Sequence, residues 1–133
     1  MEVELEMILR LLLAGALGAL IGYQRERAGK PAGLRTHVLV CLGATIFTLA
    51  SIYGFGQADP ARIAAGVVTG VGFLGAGAIV RSREGFVAGL TTAASIWAVA
   101  AVGLAAGAGL YIFSPVATGV ILLVLWLPSH IQG

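Results

Sequence analysis

Charge is what this sequence has least of. Only 11% of its 133 residues are Asp, Glu, Lys or Arg, against roughly 25% in soluble domains. With 59% hydrophobic residues and a mean hydropathy of +0.99, that scarcity excludes a soluble globular domain and places the chain in a bilayer. The single cysteine, Cys41, excludes an internal disulfide. With two histidines in all, few groups are left for acid-base chemistry, and no acid and base converge on a serine, so an enzyme is not expected. The N-terminus carries Glu2, Glu4 and Glu6, where a cleavable signal would carry positive charge. The first apolar segment is therefore expected to stay.

What is present is a series of apolar runs. The most distinctive is IAAGVVTGVGFLGAGAIV, residues 63–80, which carries Gly66, Gly70, Gly72, Gly75 and Gly77 and breaks at Arg81, Arg83 and Glu84. A charge-free run of this length is a candidate span. Each glycine would cost a soluble helix about 1 kcal/mol, but in lipid small residues let helix backbones approach closely. Gly70, Gly72 and Gly75 also match the spacing of a dinucleotide fingerprint. The context contradicts it: no strand and turn precede them, and Ala94 to Ala98 stand where an acidic residue would be needed.

The chain reads as an all-α polytopic transmembrane bundle with about five spans, at residues 7–23, 38–53, 61–80, 92–106 and 110–127. In the first, Ala14, Gly18 and Gly22 recur at intervals of four and share a face for packing. The segment 24–37 is punctuated by Gly29, Pro31 and Gly33 and reads as a loop or broken turn, with Thr36 as N-cap of the second span. Asp59 and Pro60 open the third span, and Thr91 or Thr92 caps the fourth. In the last run, a helix beginning only at Ser114 would be too short to cross. Helix is therefore expected before Pro115, with a kink there and a stop at Pro128. Trp126 and His130 are expected at the interface.

Lys and Arg divide unevenly between the two sides. Arg25, Arg27, Lys30, Arg35, Arg81 and Arg83 fall on one side and Arg10 and Arg62 on the other, which predicts an outside N-terminus and a cytoplasmic C-terminus. The same count explains the net charge of +2 without a nucleic-acid partner. Arg25, Glu26, Arg27, Arg35, His37 and Arg81 then form a charged cytoplasmic cluster, solvated by headgroups and water or engaging a partner or anionic lipid. His37 and Cys41 share a helix face, but two ligands do not make a structural metal site, and no metal or cofactor is expected. The spans hold no central carboxylate, which an intramembrane ion path normally shows. Glu26 at a mouth and the hydroxyls Thr45, Thr48, Ser51 and Thr69 leave an oligomeric magnesium or proton channel as the alternative to a protein acting through helix contacts.

Three stretches, RERAGKPAGLRTH, GVGFLGAGAIVR and GLTTAASIWAVAAVGLAAGAGLY, resemble in order and spacing the signature of the MgtC/SapB family of bacterial inner-membrane proteins. The motif positions present are Arg25, Glu26, Arg27, Gly33, Arg35, Thr36 and His37; then Gly72, Gly75, Gly77 and Arg81; then Gly89, Thr91, Thr92 and Trp97. The resemblance implies a multi-pass inner-membrane domain linked to magnesium limitation, to stress adaptation and virulence and, in some members, to inhibition of the proton-driven ATP synthase. Well-known members continue into a cytoplasmic domain, so this sequence is expected to be the membrane domain without its soluble C-terminal part. The expected mode of action is contact with itself, as a homo-oligomer, or with another membrane protein such as ATP synthase.

Overall fold

The computed structural model describes residues 2–56, 59–79 and 89–127. They form five helices: α1 (Glu2–Arg27), α2 (Leu34–Tyr53), α3 (Pro60–Ile79), α4 (Leu90–Gly107) and α5 (Phe113–Trp126). The first four are long and apolar enough to cross a membrane. The chain is thus a multi-pass membrane protein, all-helical among the described residues.

Two boundaries differ from expectation in ways that matter later. Helix α1 runs through Arg27 instead of ending at Tyr23, because nothing in residues 24–27 breaks a helix and Gly29 is the first residue with positive φ. Helix α2 starts at Leu34, with Gly33 in the cap position, so Thr36 lies inside the first turn and is no N-cap. Likewise Gly89, at φ +83°, takes the cap position of α4. That left-handed conformation favours glycine, and it leaves Thr91 and Thr92 within the helix.

Helix α5 is the short element. It begins at Phe113, so Pro115 falls in the first turn, where its missing N–H has no intrahelical acceptor to lose. No kink is required. Its 14 residues extend about 21 Å, less than the ~30 Å hydrocarbon thickness. The stop at Pro128 and the interfacial His130 lie outside the described residues.

Helix α4 is the centre. It packs on α1, α2, α3 and α5, whereas α1 and α3 do not meet. Ala14, Leu17 and Ile21 of α1, Cys41 of α2, and Val99, Val102 and Ala106 of α4 form one buried cluster. Ala44, Val67, Val71, Ile96 and Ala100 form a second, between α2, α3 and α4. Small residues set the spacing. A side chain on Gly103 would strike the Cys41 carbonyl, and one on Gly107 would come within 2.9 Å of Thr48 Cβ. Gly18 and Gly22 bring α1 equally close to Cys41 and Leu34 of α2.

A Gly103→Val substitution should therefore lower stability by about 1–3 kcal/mol through overpacking, read as a fall in the thermal unfolding midpoint of the detergent-solubilised protein. Gly119→Val, at a position where a Cβ meets nothing within 4 Å, should leave that midpoint nearly unchanged.

Candidate functional site

The buried face of α1 is Ala14, Leu17, Gly18, Ile21, Gly22 and Arg25. Helical periodicity carries the small-residue stripe straight into an arginine, which is only 2% exposed. Arg25 Nη2 donates to Thr92 Oγ1 of α4 at 3.0 Å, while its Nε has no partner among the described residues. Among these residues no carboxylate pairs with it; the ion pair there is Arg10 with Glu6. An arginine buried with no carboxylate partner among the described residues is costly, by several kcal/mol, and such a group is a candidate for function.

His37, fully buried, extends the network. Its Nδ1 lies 2.9 Å from the Gly33 carbonyl and its Nε2 2.9 Å from Ser95 Oγ, and Ser95 Oγ is 2.9 Å from the Thr92 carbonyl. Ser95 has one proton to give. If it goes to Thr92, both ring nitrogens must donate and the ring is an imidazolium; if it goes to Nε2, a neutral ring with its proton on Nδ1 satisfies Gly33. Arg25, His37, Thr92 and Ser95 thus form one polar chain across α1, α2 and α4.

This corrects the expected charged cluster. Arg25 and His37 face the interior instead of headgroups and water, because α1 stays helical past Tyr23 and α2 starts before His37. Of the other members, Glu26, Arg27 and Arg35 are exposed. Glu26 accepts the Leu34 N–H at 3.0 Å, the role of a carboxylate at a helix N-terminus. Arg27 sits over the Tyr23 ring, 5.8 Å from its centroid, and Arg35 and Thr36 are exposed. Arg81 lies outside the described residues.

A second polar cluster occupies the opposite end of the same helix pair. Arg10 Nη1 donates to the Gly107 carbonyl at 2.8 Å, satisfying an orphan acceptor at the negative end of α4. Its Nε pairs with Glu6 at 3.1 Å, its guanidinium lies over Tyr53, and Tyr111 also donates to Glu6. Sequence reasoning missed these contacts because the partners stand 97 and 105 positions apart. The signal for Arg25 was available, however: it stands seven positions after Gly18 and three after Gly22, on the same helix face.

The remaining positions divide by helix. Thr91 is half-buried and Trp97 is 56% exposed, on an outer face. Gly75 meets Ala93, but Gly66, Gly70, Gly72 and Gly77 are exposed, and a Cβ on any of them would meet nothing within 4 Å among the described residues. The dinucleotide-like spacing lies within uninterrupted helix, which leaves no turn to cradle a phosphate. Thr45 Oγ1 lies 2.9 Å from the Cys41 carbonyl and 2.8 Å from that of Gly103; Thr48 and Thr69 bond the preceding turn of their own helices. Ser51 Oγ is buried without a partner among the described residues. Cys41 Sγ contacts the Ala14 carbonyl, and no group of three His, Cys, Asp or Glu gathers among the described residues.

The family model described as the MgtC family matches residues 11–133. A protein of Escherichia coli K12 named "Putative magnesium transporter YhiD" is 50% identical over 114 residues, covering 80% of this chain and 53% of its own length. "Protein MgtC" of Brucella abortus is 50% identical over 115 residues, covering 84% and 48%. "Protein SrpB" of Synechococcus elongatus is 45% identical over 129 residues, covering 87% and 71%. The chain spans about half the length of the first two relatives. No solved structure matches it.

Thr92→Val should remove the hydroxyl that receives Arg25 and destabilise the protein by about 1.5–3 kcal/mol, the range for a hydrogen bond to a charged group. Thr91→Val should stay within about 0.5 kcal/mol; paired thermal unfolding curves of the two variants decide the matter.

Proposed function

Because the chain belongs to the MgtC family, we propose that it is a bacterial inner-membrane protein of magnesium homeostasis that acts through helix contacts with itself or with another membrane protein. The observation that carries this reading is the state of α3. Only 11% of its most apolar window is buried within the chain, against 50% for α4. Its outward side presents Ala65, Thr69, Gly72 and Ala76, all exposed and spaced so that they share one face. A small-residue face of this kind suits close helix association, since backbones can approach without side-chain bulk.

The interior supports contact over conduction. Magnesium favours hard oxygen ligands, above all carboxylates, and the polar chain inside the bundle offers an arginine, a histidine and two hydroxyls. A fixed cation at Arg25 opposes a divalent cation passing beside it. Glu26, the carboxylate placed at a channel mouth by the alternative reading, is engaged with the N-terminus of α2. The motif residues shared with the family then act by holding α1, α2 and α4 together so that α3 is presented to a partner.

Gly72→Leu should leave the monomer folded, since a Cβ there meets nothing within 4 Å, and should abolish self-association or partner capture measured by cross-linking in native membranes. Undiminished assembly would refute the contact surface. Flux assays for magnesium and protons in sealed vesicles, with Glu26→Gln in parallel, should show none; flux lost on that substitution would establish the channel reading instead.

A further inference from the structure

Helices α2 and α3 diverge around a groove of about 620 Å³ that is apolar along its length and has Arg62 at one end. Its floor is made by what is missing: Gly43 of α2 and Gly66 and Gly70 of α3 line it, and a Cβ on any of them would meet nothing within 4 Å. Leu39 and Leu74 close the far end, and Phe47 stands beside the arginine end. An apolar groove facing hydrocarbon does not hold water. The occupant must bring apolar volume.

From Arg62 to Leu74 the groove extends about 18 Å along α3 at 1.5 Å per residue. That is close to half of a ~30 Å hydrocarbon core, the depth of one leaflet and the reach of one acyl chain. Arg62 is exposed and makes no ion pair among the described residues. The N-terminus of α3 lies at the same end and adds the positive pole of its dipole. The nearby acid, Asp59, is turned to the helix, accepting the Ala61 N–H at 3.0 Å. A cationic end, a leaflet-deep apolar trough and a floor without side chains match one chemistry.

We infer that the α2/α3 groove is a binding site for an anionic phospholipid, with one acyl chain laid over Gly43, Gly66 and Gly70 and the headgroup phosphate at Arg62. A second copy of the chain is a poorer occupant. A crossing helix needs the full ~30 Å of the bilayer, and the exposed small-residue face of α3 at Gly72 is turned about 160° from Gly70 around the helix. The lipid site and the association face are separate surfaces.

The test is native mass spectrometry of the detergent-solubilised protein titrated with phosphatidylglycerol and phosphatidylcholine of identical acyl chains. The unmodified protein should retain the first phosphatidylglycerol about fivefold more tightly, as expected for one arginine near a membrane surface. Arg62→Gln should bring the ratio near one, and Arg27→Gln, exposed on another surface, should leave it intact. Gly66→Phe should fill the trough and weaken both lipids, with phosphatidylglycerol no longer raising the thermal midpoint. An unchanged ratio in Arg62→Gln would overturn the site, as would a Gly66→Phe protein that keeps its lipid. Gly72→Leu should keep the lipid preference whether or not it disrupts assembly, which separates this site from the association surface.

Discussion

Two arginines of one helix hold the two ends of another, and the packing of the remaining elements follows from that pairing. Arg10 reaches the last carbonyls of α4 and Arg25 the first turn, and the same fifteen-residue spacing separates the two arginines and their two partners. At 1.5 Å per residue that is about 22 Å, most of the hydrocarbon depth. The pair is antiparallel and in register, so Arg10 meets a free carbonyl at the negative end of α4 while Arg25 meets the Thr92 hydroxyl at the other end.

Around that clamp the bundle separates into a tight half and an open half. Helices α1, α2 and α4 approach through glycines and share a polar chain, with Cys41 and Gly103 at the point of closest contact. Helix α3 joins through Val67 and Val71 and the small contact of Gly75 with Ala93, leaving its remaining glycines outward. The motif positions therefore split: Arg25, His37 and Thr92 are buried between α1, α2 and α4, whereas most of the third-span glycines lie on outer surfaces. One is a small-residue face suited to a protein helix, the other a groove suited to a lipid.

Much of this was legible in the residues. Hydropathy marks the helices because each apolar run reports its own burial in lipid, with no reference to the others. The stripe of Ala14, Gly18 and Gly22 marks the face of α1 that packs, and Arg25, seven positions after Gly18 and four after Ile21, falls on that same face. The loop assignment at residues 24–37 hid this by treating charge as a sign of exposure. Pro115 misled for a related reason: a proline ends or kinks a helix only in its interior, and in the first turn it costs nothing.

The sequence by itself determined membrane residence, an all-helical chain and family membership, since composition, run length and ordered motifs are local properties that survive without coordinates. Only the tertiary structure decided which of the motif charges are buried, because that depends on the rotation of α1 and on hydroxyls 58 to 67 positions away. It also decided that Gly66, Gly70, Gly72 and Gly77 of α3 bound open space while Gly18 and Gly22 of α1 and Gly103 and Gly107 of α4 lie tight against α2. A glycine reports that a surface is small; what lies against it is set by the neighbouring helix.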